Sequence, residues 1–328
     1  MTMKKICFSI FIILLIMLLV SCSTTSSGVA GADDTAYSGT MPPLTDYEPL
    51  DLTPVVPVSS DFLVKTAAKL IPNTIKKTEQ KLASSKDVAS RFSLLAEAGK
   101  NYVMYANAFI QHNAQLLPME RYDEQYAELV RAKAFYLRGR DLVLDALDAK
   151  YTGLRSGLFS VDDEECEAAI SMLQKEDIEN IYWCAAGWLG AFSLDPLDSD
   201  LLSTAPSAMK MLEKACELVP DYDNGAIWDV LCAYYAAAPA EMGGSREKAL
   251  AAHEKTMEIS GGKTISPYIT YAQSICQPDS DSEGFVESLE KALQTKKPSG
   301  TTAGVAYTIS KEKAQYLLEH KDDYFLDW

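Results

Sequence analysis

The sequence predicts an all-α fold: a superhelical array of about four degenerate helical hairpins with extra capping helices. Three observations carry that expectation. Apolar residues recur at i, i+3, i+4 and i+7 through long segments, and strand-like alternation is almost absent. Proline, glycine and aspartate clusters interrupt those segments at short intervals, so the chain turns back on itself repeatedly. The third is recurrence of one packing stripe, described below. Taken in order, helices are expected at about 61–71 and 73–84 on either side of Pro72, and at 87–115 and 119–151 around Pro118. After Gly153 come 163–173 and 177–193, ended before Pro196, then 205–218 ahead of Pro220. Segments 224–238 and 245–260 flank Gly243-Gly244, 266–276 follows Gly261-Gly262, 282–296 follows Pro278, and 303–325 follows Pro298.

The stretch WDVLCAYY, Trp228 to Tyr235, places Trp228, Leu231, Cys232 and Tyr235 at offsets 0, 3, 4 and 7. Three other segments fit the same offsets: Leu95/Ala98/Gly99/Tyr102, Ile181/Cys184/Ala185/Trp188 and Tyr268/Tyr271/Ala272/Ile275. This is the first-helix pattern of a tetratricopeptide repeat, in which the small residue at offset 4 lets two helices approach closely. Second-helix companions follow: Ala208, Leu212, Ala215 and Pro220; Ala249 onward; and Leu289 and Ala292 before Pro298. Successive anchors lie 86, 47 and 40 residues apart, so the array has long connections. A hairpin of this kind cannot bury its own apolar face, and stacking makes the core.

The N-terminus carries an address. Lys4 and Lys5 precede a nearly unbroken apolar run from Ile6 to Val20, shorter than the roughly 20 residues a spanning helix needs. The run ends in Leu19-Val20-Ser21-Cys22, which resembles a bacterial lipobox, so 1–21 reads as a lipoprotein signal peptide and Cys22 as the lipidated residue. Acyl chains contribute about 0.8 kcal/mol per buried CH₂, enough for two or three to hold the protein on a membrane. Residues 22–58 read as a flexible to extended tether. Its first half is poor in bulky apolar residues, and MPPLTDYEPLDLTPVVPV adds five prolines that favour an extended path and can lie along the body. The folded domain is expected over 59–328.

Charge and cysteine usage exclude several classes. Losing Lys4 and Lys5 takes the formal charge from 30 − 46 = −16 to 28 − 46 = −18, which argues against nucleic acid or an anionic lipid surface as the main partner. Five cysteines follow Cys22, at 166, 184, 216, 232 and 276, an odd number without metal-site spacing; a Cys184–Cys232 bridge is the one pairing considered. His112, His253 and His320 are scattered, and His253 occupies the aromatic position of a second helix. No nucleophile elbow, phosphate loop or dinucleotide fingerprint is present, so no enzyme, no cofactor and no metal site are expected. Ser245 reads as a simple N-cap, and Asp162-Asp163-Glu164-Glu165 as an acidic helix opening suited to the dipole.

Four segments go further: YVMYANAFIQHNA (102–114), RAKAFYLRGRDLVLDALDAKYTGL (131–154), IYWCAAGWLGAFSLD (181–195) and PAEMGGSREKALAAHEKTMEIS (239–260). In that order they resemble the T component of tripartite ATP-independent periplasmic (TRAP) transporters, a tetratricopeptide-like lipoprotein family. The most specific parts are Leu137-Arg138-Gly139-Arg140-Asp141 and Gly243-Gly244-Ser245. The resemblance implies an accessory role in transport, facing the periplasm on a lipid anchor. It implies pairing with the extracytoplasmic solute-binding receptor, assembly as a homo-oligomer, a trimer, and an apolar passage for a hydrophobic or organic-acid ligand.

Residues one, five and eight after each anchor are expected on the concave side of such an array. They are Ala96, Lys100 and Val103; Tyr182, Ala186 and Leu189; Asp229, Ala233 and Ala236; and Ile269, Gln273 and Cys276. Among them Tyr182, Ala186, Leu189, Asp229, Ala233, Ala236, Lys100 and Gln273 form the candidate ligand- or partner-binding groove, a small apolar floor with few polar handles. The competing reading is that capping helices cover these positions. Two other functions stay open at this point: a general envelope scaffold gripping a peptide or helix in the groove, and a hydrolytic lipoprotein using Asp229 and Glu241.

Overall fold

The computed structural model describes residues 40–325, so Cys22, the signal segment and the first half of the tether lie outside the described residues. Twelve helices and no strand are found among them. They are α1 Phe62–Ser84, α2 Val88–Tyr105, α3 Tyr122–Lys150, α4 Leu154–Leu158, α5 Asp163–Ser171, α6 Ile178–Leu194, α7 Ser199–Leu218, α8 Ala226–Ala237, α9 Arg246–Ser260, α10 Ser266–Thr270, α11 Ser282–Gln294 and α12 Thr301–Glu319. Two of them run on through a π-helical turn: α2 through Ala106–Gln111 into His112–Gln115, and α10 through Tyr271–Cys276.

Caps set several boundaries. Asp61, Asp87, Asp162, Asp198, Ser245 and Asp281 each accept a backbone N–H of the first turn, satisfying donors the helix leaves orphaned. Ser245 accepts from Lys248 N at 3.2 Å, the simple cap expected of it. The acidic opening at Asp162 also folds as expected, with Asp162 taking Glu164 N at 2.8 Å.

One expected break is absent, and one helix starts earlier than expected. Pro72 lies inside α1, because the buried stripe Val64, Ala68, Pro72, Ile75 and Leu82 runs straight through it. Pro206 lies inside α7, which starts at Ser199 rather than near 205. There the first turns are fixed by the Asp198 cap and by Trp188 Nε1 donating to Thr204 Oγ1 at 2.9 Å. In both helices tertiary packing outweighs the cost of proline, about 3 kcal/mol in an isolated helix interior. The short helix α4 was not expected; the left-handed Gly153 (φ 91°) turns the chain into it.

Four antiparallel hairpins make the body: α2/α3, α6/α7, α8/α9 and α10/α11, with α4 and α5 forming a small extra pair. The first helices α2, α6, α8 and α10 also touch in sequence, as a repeat array requires. The offset residues are the reason. Leu95, Ala98, Gly99 and Tyr102, and likewise Ile181, Cys184, Ala185 and Trp188, are buried. At the α2/α3 crossing a Cβ on Gly99 would come within 2.6 Å of the Gly139 carbonyl, and one on Gly139 within 2.7 Å of the Gly99 carbonyl. The two backbones meet there with no room for a side chain. Gly187 brings α6 onto the same spot, 2.9 Å from the Tyr136 carbonyl by the same measure.

The array closes on itself. The last helix, α12, packs on the first, α1, and Ser59 Oγ donates to Glu312 Oε1 at 2.6 Å across 253 positions. The concave side of the hairpins is therefore enclosed. Residues 40–58 run as an extended strap from the N-terminal end of α2 toward its C-terminal end. Arg91 donates to the Pro42 carbonyl at 3.1 Å, and Asp145 accepts Tyr47 at 2.7 Å and Thr45 at 2.9 Å. Further along, Val55 N donates to Tyr105 Oη at 2.8 Å and Val58 N to Asn113 Oδ1 at 3.1 Å. No helix among the described residues is long and apolar enough to cross a membrane.

Candidate functional site

The proposed groove positions lie inside the closed array. Tyr182, Ala186, Leu189, Asp229, Ala233 and Gln273 are buried, and Ala236 is half-buried. Lys100 stays at the edge, where it pairs with Glu179 and lies 5.6 Å from the Trp183 ring centroid. Helical spacing puts Asp229, Ala233 and Ala236 on one face of α8 at i, i+4 and i+7. The same spacing puts Ser266, Thr270, Gln273 and Gln277 on one face of α10 and its π turn, and all four are buried. The faces meet at their N-terminal ends, where Ser266 Oγ donates to Asp229 Oδ2 at 2.5 Å.

That interior carries polar atoms without partners. Among the described residues Tyr182 Oη, Gln273 Oε1 and Ser274 Oγ are buried and make no hydrogen bond, while the Thr270 hydroxyl faces the Asp229 carboxyl. Such an atom costs about 1–3 kcal/mol, and native interiors hold few of them without a reason. Burial raises the Asp229 carboxyl to about 6, and hydrogen bonds from the Ser266 and Thr270 hydroxyls oppose the rise. Tyr182 is raised too, by burial first and then by Tyr222, Asp223, Asp229 and Tyr136 around it. The Tyr182 ring centroid lies 5.4 Å from that of Tyr222. Tyr136, on α3, accepts from Asn107 Nδ2 at 3.0 Å and donates to Gln111 Oε1. A polar line thus runs from the π turn of α2, past Tyr136, Tyr182 and Asp229, to α10.

Sequence reasoning found Tyr182, Asp229 and Gln273 and missed Asn107, Gln111, Tyr136, Tyr222, Ser266 and Thr270. One signal was available. Ser266, Thr270, Gln273 and Gln277 are a polar stripe on an otherwise apolar helix. Both π turns consist almost wholly of buried residues, and such turns recur at functional sites.

The two segments singled out as most specific have clear structural duties. In Leu137–Asp141, Arg138 turns to the strap: it donates to the Glu48 carbonyl at 2.5 Å and stacks 4.5 Å over Tyr47. Gly139 makes the α2 crossing described above. Arg140 points elsewhere, 5.0 Å over the Trp188 ring, and bonds Asp141 at 2.9 Å. In the turn between α8 and α9, Gly243 is left-handed (φ 89°), and a Cβ on Gly244 would overlap the Ala238 carbonyl. Ser245 N donates to Tyr235 O at 2.8 Å and Tyr234 Oη to Met242 O at 2.8 Å, so the turn is bolted to the WDVLCAYY helix.

Cys166, Cys184, Cys216, Cys232 and Cys276 are free and buried, so Cys184 and Cys232 are not bridged. Burial pushes the Cys184 and Cys232 thiols up, away from the reactive thiolate. His253 packs 4.6 Å from the Tyr271 ring and is driven down to about 4 by burial. No group of His, Cys, Asp and Glu among the described residues is placed to hold a metal ion. The covered face of the array is thus largely apolar, with a few fixed polar atoms.

Two comparisons bear on what this arrangement serves. An uncharacterized protein of Treponema pallidum (strain Nichols) is 38% identical over 229 residues, covering 70% of this chain and 71% of its own. Residues 63–325, from the start of α1 past the end of α12, match the TRAP transporter T-component family. The hairpin array with its enclosed wall belongs to a component of a TRAP transport system, and this chain is a member of the TRAP transporter T-component family.

Proposed function

We propose that the protein is the membrane-anchored, periplasm-facing accessory of a TRAP-type transporter, docking on its solute-binding receptor and passing it an apolar small ligand. Family membership supports the transport role. The observation that supports the finer reading over an open peptide groove is burial: Tyr182, Ala186, Leu189, Asp229 and Ala233 are all covered. An extended peptide or partner helix would need an accessible face at these positions, so the wall favours a small molecule. Lipidation at Cys22 would hold the protein on the membrane, and the strap would bring the chain to the N-terminal end of α2. The reading includes a homo-oligomer, a trimer, as the working form.

Chemical cross-linking of the tagged full chain in intact cells, followed by purification from membranes, tests the docking. A solute-binding receptor among the cross-linked partners is the expected result. Recovery of cell-wall assembly proteins without a receptor would replace this reading with the scaffold one. Cys22→Ala should move the folded protein from the membrane fraction to the soluble one, and continued membrane retention would sink the anchor.

A further inference from the structure

We propose that the outer face of α1 and the α1–α2 turn lie against the membrane, with their lysines on the headgroups of anionic phospholipids. The inference rests on the Cys22 anchor of the preceding reading. The chain's formal charge of −16 disfavours an acidic surface for the molecule as a whole, but that charge is unevenly spread. Residues 62–86 hold Lys65, Lys69, Lys76, Lys77, Lys81 and Lys86 against Glu79 alone, 6 − 1 = +5. All six lysines are exposed, and none forms an ion pair among the described residues, whereas Lys100, Lys133, Lys150 and Lys210 each face an acid. The acids interspersed with the six are engaged elsewhere. Glu79 accepts from Tyr102 Oη at 2.7 Å, and Asp87 caps α2 through Ser90 N at 2.7 Å.

The point where the chain enters the fold selects the occupant. Arg91 donates to the Pro42 carbonyl at 3.1 Å and to the Ser85 carbonyl at 2.5 Å, so the segment arriving from Cys22 meets the body at the α1–α2 turn, beside Lys86. From Cys22 to Thr40 is 40 − 22 = 18 residues. A chain of that length spans on the order of 25 Å as a coil and at most about 65 Å when extended. An anchor on so short a lead favours, for membrane contact, the corner to which the lead is attached. The face itself suits lipid. Val64, Ala68, Ile75 and Leu82 pack inward, and on the other side Phe62 is 78% exposed and Leu70 58%, set among Lys69, Lys76 and Lys77. Leu44, two residues beyond Pro42 on the strap, is 47% exposed. Lysines with apolar side chains between them match an interface of phosphates over acyl chains, where each lysine is attracted within a Debye length of the surface. An acidic protein surface would answer the lysines and leave Phe62 and Leu70 without a match.

Lysine footprinting of the mature lipidated protein tests this, in nanodiscs of phosphatidylglycerol and, separately, of phosphatidylcholine. An acetylating ester labels exposed amines, and mass spectrometry reads each lysine. Lys69, Lys76, Lys77 and Lys81 should react at least about threefold more slowly in phosphatidylglycerol, and the difference should vanish near about 0.5 M salt, where charges are screened beyond a few ångströms. Lys248 and Lys263, exposed on and just after α9, should react alike in both lipids. Lys76→Glu, Lys77→Glu and Lys81→Glu together should return Lys69 to its phosphatidylcholine rate while the protein melts as the wild type does. Equal rates for wild type in the two lipids overturn the proposal. So does protection that appears only when a solute-binding receptor is added, which would give the patch to a protein partner. The wild-type comparison decides without the variant. Retention in the discs at high salt reads the anchor separately, because salt removes the lysine contact and leaves acyl chains in place. A protein that stays in the discs with equal rates keeps its anchor and loses only this surface.

Discussion

At the residue scale, the burial of Asp229 carries a pH-dependent cost in stability. Burial holds its carboxyl near 6, above the ordinary 3.8, so the native state keeps a proton that the unfolded state has lost. Its contribution is fully present below about pH 4 and is lost as pH rises through 6. Asp229→Asn should therefore be more stable than the wild type at pH 8, by about 1–3 kcal/mol, with the gap closing at pH 4. Urea unfolding of both proteins at the two pH values checks this, and a variant less stable at pH 8 would contradict it. His112, buried and driven down to about 3 by burial and by Lys313, has the opposite slope: stability rises with pH between 3 and 6.5. It is common to both proteins and cancels in the difference.

Legibility at this scale was uneven for a physical reason. Tyr182, Asp229 and Gln273 could be placed on the concave side because repeat offsets fix direction from the helix axis. Tyr136 and Tyr222 could not, because they lie outside first-helix concave positions and reach the same interior from α3 and from the 222–225 turn. Nothing in a local window says that Tyr136 will sit beside Asn107 and Gln111. The cap residues were easier, since Ser245 and Asp162 act on backbone only two or three positions away.

At the scale of elements, the α2/α3/α6 crossing is the firmest joint. Gly139→Ala would force a Cβ within 2.5 Å of Val103 Cγ2 and onto the backbone of α2, neither of which can yield cheaply. A loss of about 1–3 kcal/mol is expected, whereas Gly304→Ala in α12, which meets only the flexible end of Lys297 at 3.0 Å, should be neutral or stabilising by about 0.5–1 kcal/mol. Thermal melts should lower the Tm of Gly139→Ala and leave that of Gly304→Ala unchanged or raised, and an undiminished Tm for Gly139→Ala would show that the crossing is looser than the backbones indicate. The hairpins themselves were readable from the 0, 3, 4, 7 offsets, as Gly99 shows. Pro72 misled because it was judged by local cost alone. Pro72 sits in register with Ala68 and Ile75 on the buried stripe of α1, and that stripe decides the helix.

For the whole molecule, closure is the property that turns a repeat array into a ring, and the sequence did not show it. The positions on the concave side were visible; that α12 would return to α1 was not. No periodic pattern links Ser59 to Glu312, and the strap is held by scattered polar contacts such as Tyr47 with Asp145. The strap also explains Arg138, whose duty in the family-like segment is to grip residues 47 and 48.

Closure has a consequence in time. Contacts between residues 253 positions apart form late, because loop entropy must be lost before they contribute, while hairpins such as α8/α9 draw on neighbours in the chain. The nascent protein therefore passes through a horseshoe whose inner surface is open to solvent and which the final helix converts into a ring. What forms last tends to open at the lowest cost, so the same helix becomes a clasp in the finished protein. Native-state hydrogen exchange should find the amides of α12 releasing through a smaller opening than those of α2 and α3. With α12 exchanging only on global unfolding, the ring would be sealed for life, and any cargo would have to be enclosed while the chain folds.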